Sequence, residues 1–316
     1  MSQISGDSLA IAKDLNARFT NIINKPRVPL YTKICETVPS DGAFEKYPMV
    51  TQLPFPKQWN DIRTPEGIRV TSVLEVDNLR YSMSVQMDTN LVNDSKAYTL
   101  NTIVDQAANR CVEFPDKLSS ALVEAGANAG TKDIADPAVA FYATTHQYAG
   151  TGGNTISNKL TGTGVTLTTV QTDLFAAMAA LKTMKDNEGG LINGDIPVTK
   201  ENFIIQCHPN MEGVFRQVLN TSWLPLLTGA SGENVLKGTA DIFVDGYLTD
   251  VNDWYLHCVG MQQRPFIFQE REAMRSKLYT SENSYTHDFN DMIEILVKWR
   301  FAFAYAFFFR SIKTTN

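Results

Sequence analysis

The chain has 316 residues, 43% hydrophobic and 20% charged, which is a globular composition with ample material for a core. Its formal net charge is −6 and its isoelectric point is about 5.3, and no basic patch of the kind that a sequence-specific DNA-binding protein carries stands out. Its four cysteines lie far apart without CxxC spacing, which argues against a disulfide framework and fits a reducing cytoplasm. The N-terminus lacks the basic and apolar regions of a secretory signal.

The first quarter of the chain predicts a helix, an arm and a ribbon. Apolar residues at helical spacing predict an amphipathic helix over residues 6–24. Residues 25–65 contain seven prolines between short apolar fragments, so we expect an extended arm that lies on its own body or reaches another subunit. Residues 66–88 alternate as strands do, and Asp77-Asn78 marks a turn or bulge between them. This pattern predicts a hairpin or a long bent ribbon that projects outward.

The longest predicted helix covers residues 90–126, where apolar residues keep the helical spacing throughout. Pro115 falls inside this pattern and is expected to kink or divide the helix near Phe114, because proline lacks the backbone donor and clashes with the preceding turn. Gly126 is the predicted stop. Such a helix would be roughly 50 Å long at about 1.5 Å per residue.

The middle of the chain predicts loops and a second helix. Residues 127–167 are loop-rich, with a short strand predicted over Ala138–His146. A GTGG run follows that strand, but it lacks the pattern and the context of a phosphate-binding loop. A helix is predicted over residues 168–186, and Thr168 and Gln171 have the spacing of a capping box at its start.

Residues 197–265 predict a separate α/β unit. Short apolar runs predict strands at Phe203–Cys207, Ile242–Val244 and Trp254–Val259, and Pro209 begins a helix after the first of them.

The last part of the chain predicts one very long strand. Residues 269–290 are polar and charged and predict an irregular connection. From Ile293 to Phe309 every odd position is apolar or aromatic, and three alanines occupy the middle of the even face. Such a strand would reach on the order of 50 Å and suits one face packed on the long helix and the other close to a neighbour. Glu294, Lys298 and Arg300 interrupt the apolar run, which argues against a membrane span.

One constellation of side chains could bind a metal. Cys207-His208 and His257-Cys258 lie at the ends of two predicted strands, and two cysteines with two histidines are a ligand set that zinc accepts. Adjacent residues on a strand point to opposite faces, so the competing interpretation is two buried cysteines with the histidines on the other face. No GxSxG elbow and no recognisable cysteine-nucleophile motif occurs, so no catalytic residue and no cofactor is predicted.

Four stretches are distinctive: the final aromatic strand, FPKQWNDIR (Phe55–Arg63), FYATTHQYAGTGGNTISN (Phe141–Asn158) and LTDVNDWYLHCVGMQQRPFIFQERE (Leu248–Glu272). They resemble stretches of the major head protein of Mu-like tailed phages, which has the Hong Kong 97-type capsid fold. The first motif departs from the family's Pro-x-x-x-Trp spacing, because only two residues separate Pro56 from Trp59. Each motif is modest by itself, and their order along most of the chain carries the resemblance.

The resemblance implies an α+β fold of the Hong Kong 97 type, in which a long spine helix packs on a long β-ribbon. Residues 1–49 would form an N-terminal arm, and residues 50–89 an extended loop that lies on the neighbouring subunit. Residues 90–195 and 262–316 would form the peripheral domain. Residues 196–261 would form an inserted axial α/β domain that meets its copies around five-fold and quasi-six-fold axes.

The resemblance also implies a structural capsid protein without an active site. It would be assembled in the bacterial host cytoplasm, become part of the virion, and self-assemble through pentamers and hexamers into an icosahedral shell. That shell would enclose double-stranded DNA without sequence-specific binding, and it would not involve a membrane. Scaffold and portal proteins are the expected partners, with a decoration protein as a further candidate. The candidate intersubunit contacts are Trp59, Arg63, Arg264, Glu270 and Arg271.

Three alternatives stay open at the level of sequence. An encapsulin-like nanocompartment shell shares the fold and would enclose a cargo enzyme instead of DNA. A soluble metal-dependent enzyme would use Cys207, His208, His257 and Cys258. A tail or adhesion protein would contain more repeated β-strand than this chain shows.

Overall fold

The computed structural model describes most of the chain. The described residues are 6–25, 27–50, 55–56, 58, 67, 70–88, 90, 97–148, 155–225, 231–261, 263–279 and 292–316. Within them, no helix is both long enough and apolar enough to cross a membrane. Trp59, Arg63 and the GTGG run lie outside the described residues.

Four α-helices and fifteen strands are found within these described ranges. The helices are α1 Gly6–Ile23, α2 Ala97–Ala125, α3 Leu167–Thr183 and α4 Pro209–Asn220, and 3₁₀ turns cover Leu30–Lys33 and Phe308–Arg310. The strands are β1 Cys35–Pro39, β2 Phe44–Val50, β3 Val70–Asp77, β4 Leu79–Asp88, β5 His146–Gln147, β6 Thr155–Ile156, β7 Lys159–Thr161, β8 Phe203–Cys207, β9 Trp223–Pro225, β10 Ser231–Glu233, β11 Asp241–Val244, β12 Trp254–Cys258, β13 Phe266–Tyr279, β14 Met292–Tyr305 and β15 Ser311–Thr315.

The first sheet is built on the long antiparallel pair β13 and β14, with β1 beside β13 and β4 beside β14. The odd face of β14 is buried from Ile293 to Phe301, as its alternation predicts, because α2 packs on this side. Helix α1 packs against α2 and β13. The long helix on the long ribbon is therefore confirmed as the organising contact of this part of the fold.

The even face of β14 is covered by a two-stranded ribbon formed by β2 and β3, which pair antiparallel. Ala302 and Ala304 of β14 pack against Val76, with Tyr47 and Leu74 alongside. The small alanine side chains let the ribbon approach closely, since a larger residue would occupy the same space. Strand β4 follows β3 after Asn78 but pairs with β14, so the described residues 70–88 form two bent strands and not a hairpin. The predicted outward projection is wrong for these residues, because β3 lies on the even face of β14 and β4 joins its edge.

The second sheet has the strand order β11-β8-β12-β15-β7. Strands β8 and β12 are buried along their whole length, and α4 packs against β11 and α3. The predicted strands and helix of the α/β unit are confirmed. The sheet also takes in Lys159–Thr161 and the C-terminal Ser311–Thr315, which the sequence analysis placed outside that unit.

The chain crosses between the two sheets just after β14. The predicted strand from Ile293 to Phe309 is too long, because β14 ends at Tyr305. The backbone N–H groups of Ala306 and Phe307 both donate to the carbonyl of Pro265, which takes the chain out of the ladder.

Three other predictions are corrected or sharpened. Residues 138–145 are irregular, and only His146–Gln147 form a short strand. The predicted irregular connection over residues 269–290 is wrong as far as Tyr279, because β13 extends to that residue; residues 280–290 lie outside the described part. The cap of α3 is Thr166, whose side chain accepts from the Thr169 N–H, so the proposed capping box starts two residues too late.

The spine helix α2 is one helix that continues through Pro115 and ends at Ala125, immediately before the predicted stop at Gly126. Its predicted division near Phe114 does not occur.

Candidate assembly surfaces

The β2–β3 ribbon has one face on β14 and an outer face toward solvent. The outer face carries the directly paired residues Pro48 and Val73, and Val50 and Val70 pair beside them. The three valines are between 48% and 59% exposed. Contiguous exposed apolar side chains on a ribbon without a core of its own are typical of a surface that another chain covers.

The base of this ribbon is fixed by hydrogen bonds. The Glu45 carboxylate accepts from the Ser40 hydroxyl at 2.8 Å and from the N–H groups of Asp41 and Gly42 at 3.0 and 3.1 Å. These donors lower the pKa of Glu45, because they favour its charged form. Buried Gln269 of β13 donates to the Asn78 side chain at 2.8 Å and accepts from the Tyr47 hydroxyl at 2.9 Å. These hydrogen bonds hold the β2–β3 ribbon in a fixed position on the body.

The N-terminal arm lies on its own chain, at least as far as Val50. Arg18 of α1 forms a two-pronged ion pair with Asp105 of α2, at 2.5 and 2.6 Å. Arg27 pairs with the buried carboxylate of Asp116, which also accepts from the Tyr31 N–H at 3.1 Å. Strand β1 then adds in parallel to the edge of β13. For this stretch the structure favours the interpretation in which the arm wraps its own body.

Three of the predicted intersubunit residues contact this arm. Arg264 donates to the carbonyls of Thr32 and Lys33 at 2.5 and 2.8 Å, and Arg271 donates to the carbonyl of Gly42. The carbonyl of Glu270 accepts from the Ser40 N–H at 2.9 Å.

These contacts bring Arg264, Glu270 and Arg271 together along one edge of the body, where each fixes the path of the arm. The other two predicted contacts, Trp59 and Arg63, lie outside the described residues.

A second exposed apolar site lies on the α/β unit, on the hairpin formed by β9 and β10 after α4, here called the apex hairpin. Trp223 is 65% exposed and Val235, just after β10, is 67% exposed. The buried side chain of Asn234 donates to the carbonyls of Val218 and Thr221 at 2.6 and 2.7 Å, which fixes the hairpin to the end of α4. Sequence reasoning did not identify Trp223, and its apolar neighbours Leu224 and Pro225 give no sign that the tryptophan is exposed.

The four candidate metal ligands do not converge. In the antiparallel pair β8–β12, Cys207 lies opposite Trp254 and Cys258 lies opposite Phe203, so the two thiols are at opposite ends of the pairing. His208 caps α4, its ring accepting from the Asn210 N–H at 3.2 Å. Among the described residues, no group of three or more histidine, cysteine or acidic side chains is arranged to hold a metal ion.

His257 is instead a fully buried core residue. One ring nitrogen lies 3.0 Å from the side-chain oxygen of Gln206, and the other lies 2.9 Å from the Ser311 hydroxyl. Burial lowers the pKa of His257 to about 3, because the charged ring would lose its hydration. The histidine thus joins three strands of the second sheet in its neutral form.

A buried polar cluster holds the crossing between the two sheets. His146 stacks on Phe308 with ring centroids 3.9 Å apart, and its ring lies 3.5 Å from the Asp136 carboxylate. The Asp133 carboxylate accepts from the Phe308 N–H at 3.2 Å, and burial raises the pKa of Asp133 to about 7. Asn158 donates to the carbonyl of Phe308 at 3.1 Å. Sequence reasoning did not identify this cluster, and only the aromatic residues that precede His146 point to it.

Comparisons with known proteins agree with this geometry. The family model for the Mu-like prophage major head subunit gpT matches residues 9–172, which is more than half of the chain. None of the curated proteins matches the sequence.

Solved capsids share the fold. The procapsid of bacteriophage JBD30 matches with a TM-score of 0.53 and 15% identity, over 99% of this chain and 76% of that one. The capsid of cyanophage P-SCSP1u matches with a TM-score of 0.59 and 11% identity, over 91% and 88% of the two chains. The virus-like particle from Pyrococcus furiosus matches with a TM-score of 0.54 and 11% identity, over 96% and 98%.

The spine helix on the long β13–β14 pair, the α/β unit and the β2–β3 ribbon therefore form a Hong Kong 97-type capsid subunit. Such a subunit has its place in the virion shell, where copies of one chain contact each other. The chain belongs to the Mu-like prophage major head subunit family, and it is a capsid protein that forms a phage head shell from copies of itself.

Proposed function

We propose that the shell grows through rings of five and six copies in which the extended loop of each subunit lies on its neighbour. The observation that carries this proposal is the exposed apolar outer face of the β2–β3 ribbon. Burying a valine side chain is worth about 1.5–3 kcal/mol, so a neighbour that covers Val50, Val70 and Val73 gains several kcal/mol before the costs of association.

The proposed division of the chain follows the family. Residues 1–49 form the arm, residues 50–89 the extended loop, residues 90–195 and 262–316 the peripheral domain, and residues 196–261 the axial domain. The second sheet supports one adjustment, since β7 and β15 pair within it and join the axial domain. The exposed apex hairpin then lies where copies would meet around an axis.

The proposal extends to what the shell contains and to what builds it. The net charge of −6 suits a container that packs double-stranded DNA without gripping it. A separate scaffold protein and a portal protein would direct assembly, with a decoration protein as a further candidate partner. The subunit would act without a cofactor and without catalysis. The family match favours DNA over a cargo enzyme as the content.

The candidate intersubunit contacts remain part of this proposal, and they divide into residues that hold the arm and residues that touch the neighbour directly. Arg264, Glu270 and Arg271 hold the arm against the body, and the face that they form with it is offered to a neighbour. Trp59 and Arg63 belong to the extended loop and would contact the neighbouring subunit directly.

The test is to purify the chain, expressed with and without its scaffold, and to image it by negative-stain electron microscopy alongside light scattering. We expect shells or rings from the wild type. We expect dispersed, folded subunits from Val73→Asp, because a carboxylate on the outer face cannot be buried without a partner.

The matched control is Val165→Asp, which changes a valine that is 41% exposed in the loop before α3 and should assemble as the wild type does. Wild-type chains that stay monomeric even with scaffold would contradict the proposed function. If Val73→Asp formed shells in the same yield as the wild type, the outer face of the ribbon would not be an assembly contact.

A further inference from the structure

The face of the first sheet that points away from α1 and α2 carries a cluster of cations, here called the basic face. Arg80 of β4 lies directly opposite Arg300 of β14. Arg275 of β13 lies directly opposite Lys298 of β14. Directly paired residues share one face of an antiparallel sheet, so all four lie on the even face of β14, beyond the alanines that the β2–β3 ribbon covers. With Lys277 of β13 the basic face has five cations, of which Arg300 is half-buried and the others are exposed.

The cations of the basic face are poorly neutralised within the chain. Like charges that lie directly opposite each other destabilise a sheet, and Arg80 and Arg300 are such a pair. Within the described part of the chain, the one ion pair of the basic face joins Lys298 to Glu272 at 3.5 Å. Five cations with one carboxylate leave a local excess of positive charge on a chain whose net charge is −6. An acidic occupant would remove this repulsion.

The cations lie in rows across the strands, and the rows repeat at every second residue. Arg80 and Arg300 form the first row, Arg275 and Lys298 form the second, and Lys277 stands in the third. Two residues along a strand span roughly 6.6 Å at about 3.3 Å per residue. An extended peptide presents the side chains of one face at the same interval. A peptide with acidic residues at alternate positions therefore places one carboxylate over each row.

We propose that the basic face binds an extended acidic segment of a partner protein, with aspartate or glutamate at alternate positions. The two arginines of the first row present the fork of donors that pairs with a carboxylate through two hydrogen bonds. A DNA duplex fits this face less well, because its charge is continuous along the helix. A duplex would also meet the carboxylates of Glu272 in the first row and of exposed Asp77 on the ribbon beside it.

The acidic side chains of the segment 280–291 do not reach the first row. Asp288 is four residues from Met292, so its backbone extends at most about 13 Å from the start of β14. Arg300 lies eight residues from Met292, which is roughly 26 Å along β14. Glu282 extends about 10 Å from the end of β13, and that end lies roughly 20 Å from the first row. Both backbones therefore stop about 10 Å or more short of it.

Other parts of the chain lack the required pattern of charge. The extended-loop residues 51–69 carry three basic and two acidic side chains. Among the described strands, Glu75 and Asp77 of β3 are the exposed acidic pair at alternate positions, and Glu75 is already paired with Lys46 at 3.4 Å. The occupant is therefore assigned to a partner protein and not to a second copy of this chain.

The binding test uses dispersed full-length Val73→Asp subunits and two fluorescently labelled peptides with blocked ends, DTDTD and DDDTT. Both peptides carry three aspartates, but only the first has them at alternate positions. Anisotropy should show saturable binding of DTDTD that weakens with salt. DDDTT should bind at least about threefold more weakly, because fewer of its carboxylates lie over the rows. Equal affinities would reduce the contact to net charge and would overturn the inference.

A substitution on the basic face tests the site itself. Arg80→Glu in the same background should weaken DTDTD binding at least about fivefold, because a like charge then meets the peptide. The matched control is Arg110→Glu, an equal change of charge at an exposed position of α2, which should leave binding unchanged. The urea midpoint of Arg80→Glu should not fall, because an opposite charge then faces Arg300. Equal binding by the two variants, or a lower midpoint for Arg80→Glu, would contradict a binding role for Arg80.

Two further measurements separate the other occupants. A variant with Glu282→Gln, Asp288→Asn and Asp291→Asn should bind DTDTD as its parent does, and a large gain in affinity would assign the basic face to the chain's own segment. A short DNA duplex should bind more weakly than DTDTD, and tighter binding that Arg80→Glu abolishes would assign the face to nucleic acid. Because peptide binding does not require a shell, its failure is separable from a failure of the proposed assembly.

Discussion

At the scale of single residues, the two buried titratable groups with the largest consequences have opposite effects on stability. His257 has a lowered pKa of about 3, so the folded state resists its protonation and stability falls as pH drops below the unfolded value of about 6.5. Asp133 has a raised pKa of about 7, so the folded state favours its protonated form and stability rises as pH drops through that range. The two contributions partly cancel in the wild type.

Replacing His257 should therefore reveal how much this residue contributes to the pH dependence of stability. Between pH 7.5 and 5.0 the unfavourable protonation of His257 removes about 2 kcal/mol of folding free energy, since the folded chain cannot take up the proton that the unfolded chain binds. In His257→Gln this loss should vanish, even though the variant starts less stable at pH 7.5. Urea unfolding of dispersed subunits at both pH values measures the difference, and identical pH slopes for both proteins would refute the assignment.

The contacts of the buried histidines could not be predicted from the sequence. Its composition made a buried core certain, and Cys207 and Cys258 are indeed buried. The hydrogen-bond partners of His257 lie 51 and 54 positions away in the sequence, and the ring that stacks on His146 belongs to the remote Phe308. Such pairings depend on which strands become neighbours, and a single sequence without its fold does not contain that information in local form.

At the scale of elements, the alanines of β14 set how closely the β2–β3 ribbon lies on the sheet. Ala302 is 3% exposed and packs in the small cluster with Val76 and Ala304. Ala302→Leu adds volume where no void exists, and we expect it to cost about 1–3 kcal/mol and to loosen the ribbon. Urea unfolding and hydrogen exchange of Val70–Asp77 measure the two effects.

The matched control for Ala302→Leu is Ala273→Leu on the neighbouring strand β13, where the side chain is exposed. It should change stability by no more than about 0.5 kcal/mol. Unchanged exchange of the ribbon in Ala302→Leu would show that another contact sets its position.

Periodicity predicted these elements well wherever one face is buried. It identified β14 and α2 because their apolar positions repeat against a single partner. It failed at Ala306, since the aromatic alternation continues while the chain passes to another sheet. It also failed along residues 269–279, because ladder hydrogen bonds to β14 need no apolar side chains.

The strand predicted over Ala138–His146 failed for a different reason. Phe141 and Tyr142 are buried without a strand, since the Phe141 backbone bonds to the side chains of Thr131 and Asn158 instead.

At the scale of the whole molecule, two exposed apolar sites carry the proposed assembly contacts: the outer face of the β2–β3 ribbon and the apex hairpin. The ribbon and the apex hairpin both stand on bases fixed by buried asparagine or glutamine side chains. A fixed base keeps the apolar end oriented, which lowers the entropy that is lost when a neighbour binds. The order of the elements made a capsid subunit recognisable from the sequence, but the positions of these surfaces required the fold.

Removing the apolar end of the apex hairpin should therefore stop ring formation without unfolding the subunit. Trp223 is 65% exposed, so Trp223→Ser removes little folded-state packing and should shift the free energy of unfolding by about 0.5 kcal/mol or less. A central tryptophan in a protein interface commonly contributes about 2 kcal/mol or more, and each ring repeats that contact at every subunit. We expect Trp223→Ser to stay dispersed in analytical ultracentrifugation at concentrations where the wild type and Val251→Ser, a 39% exposed position in the same unit, form rings or shells. Rings of Trp223→Ser in equal yield would place the axial contact elsewhere on the α/β unit.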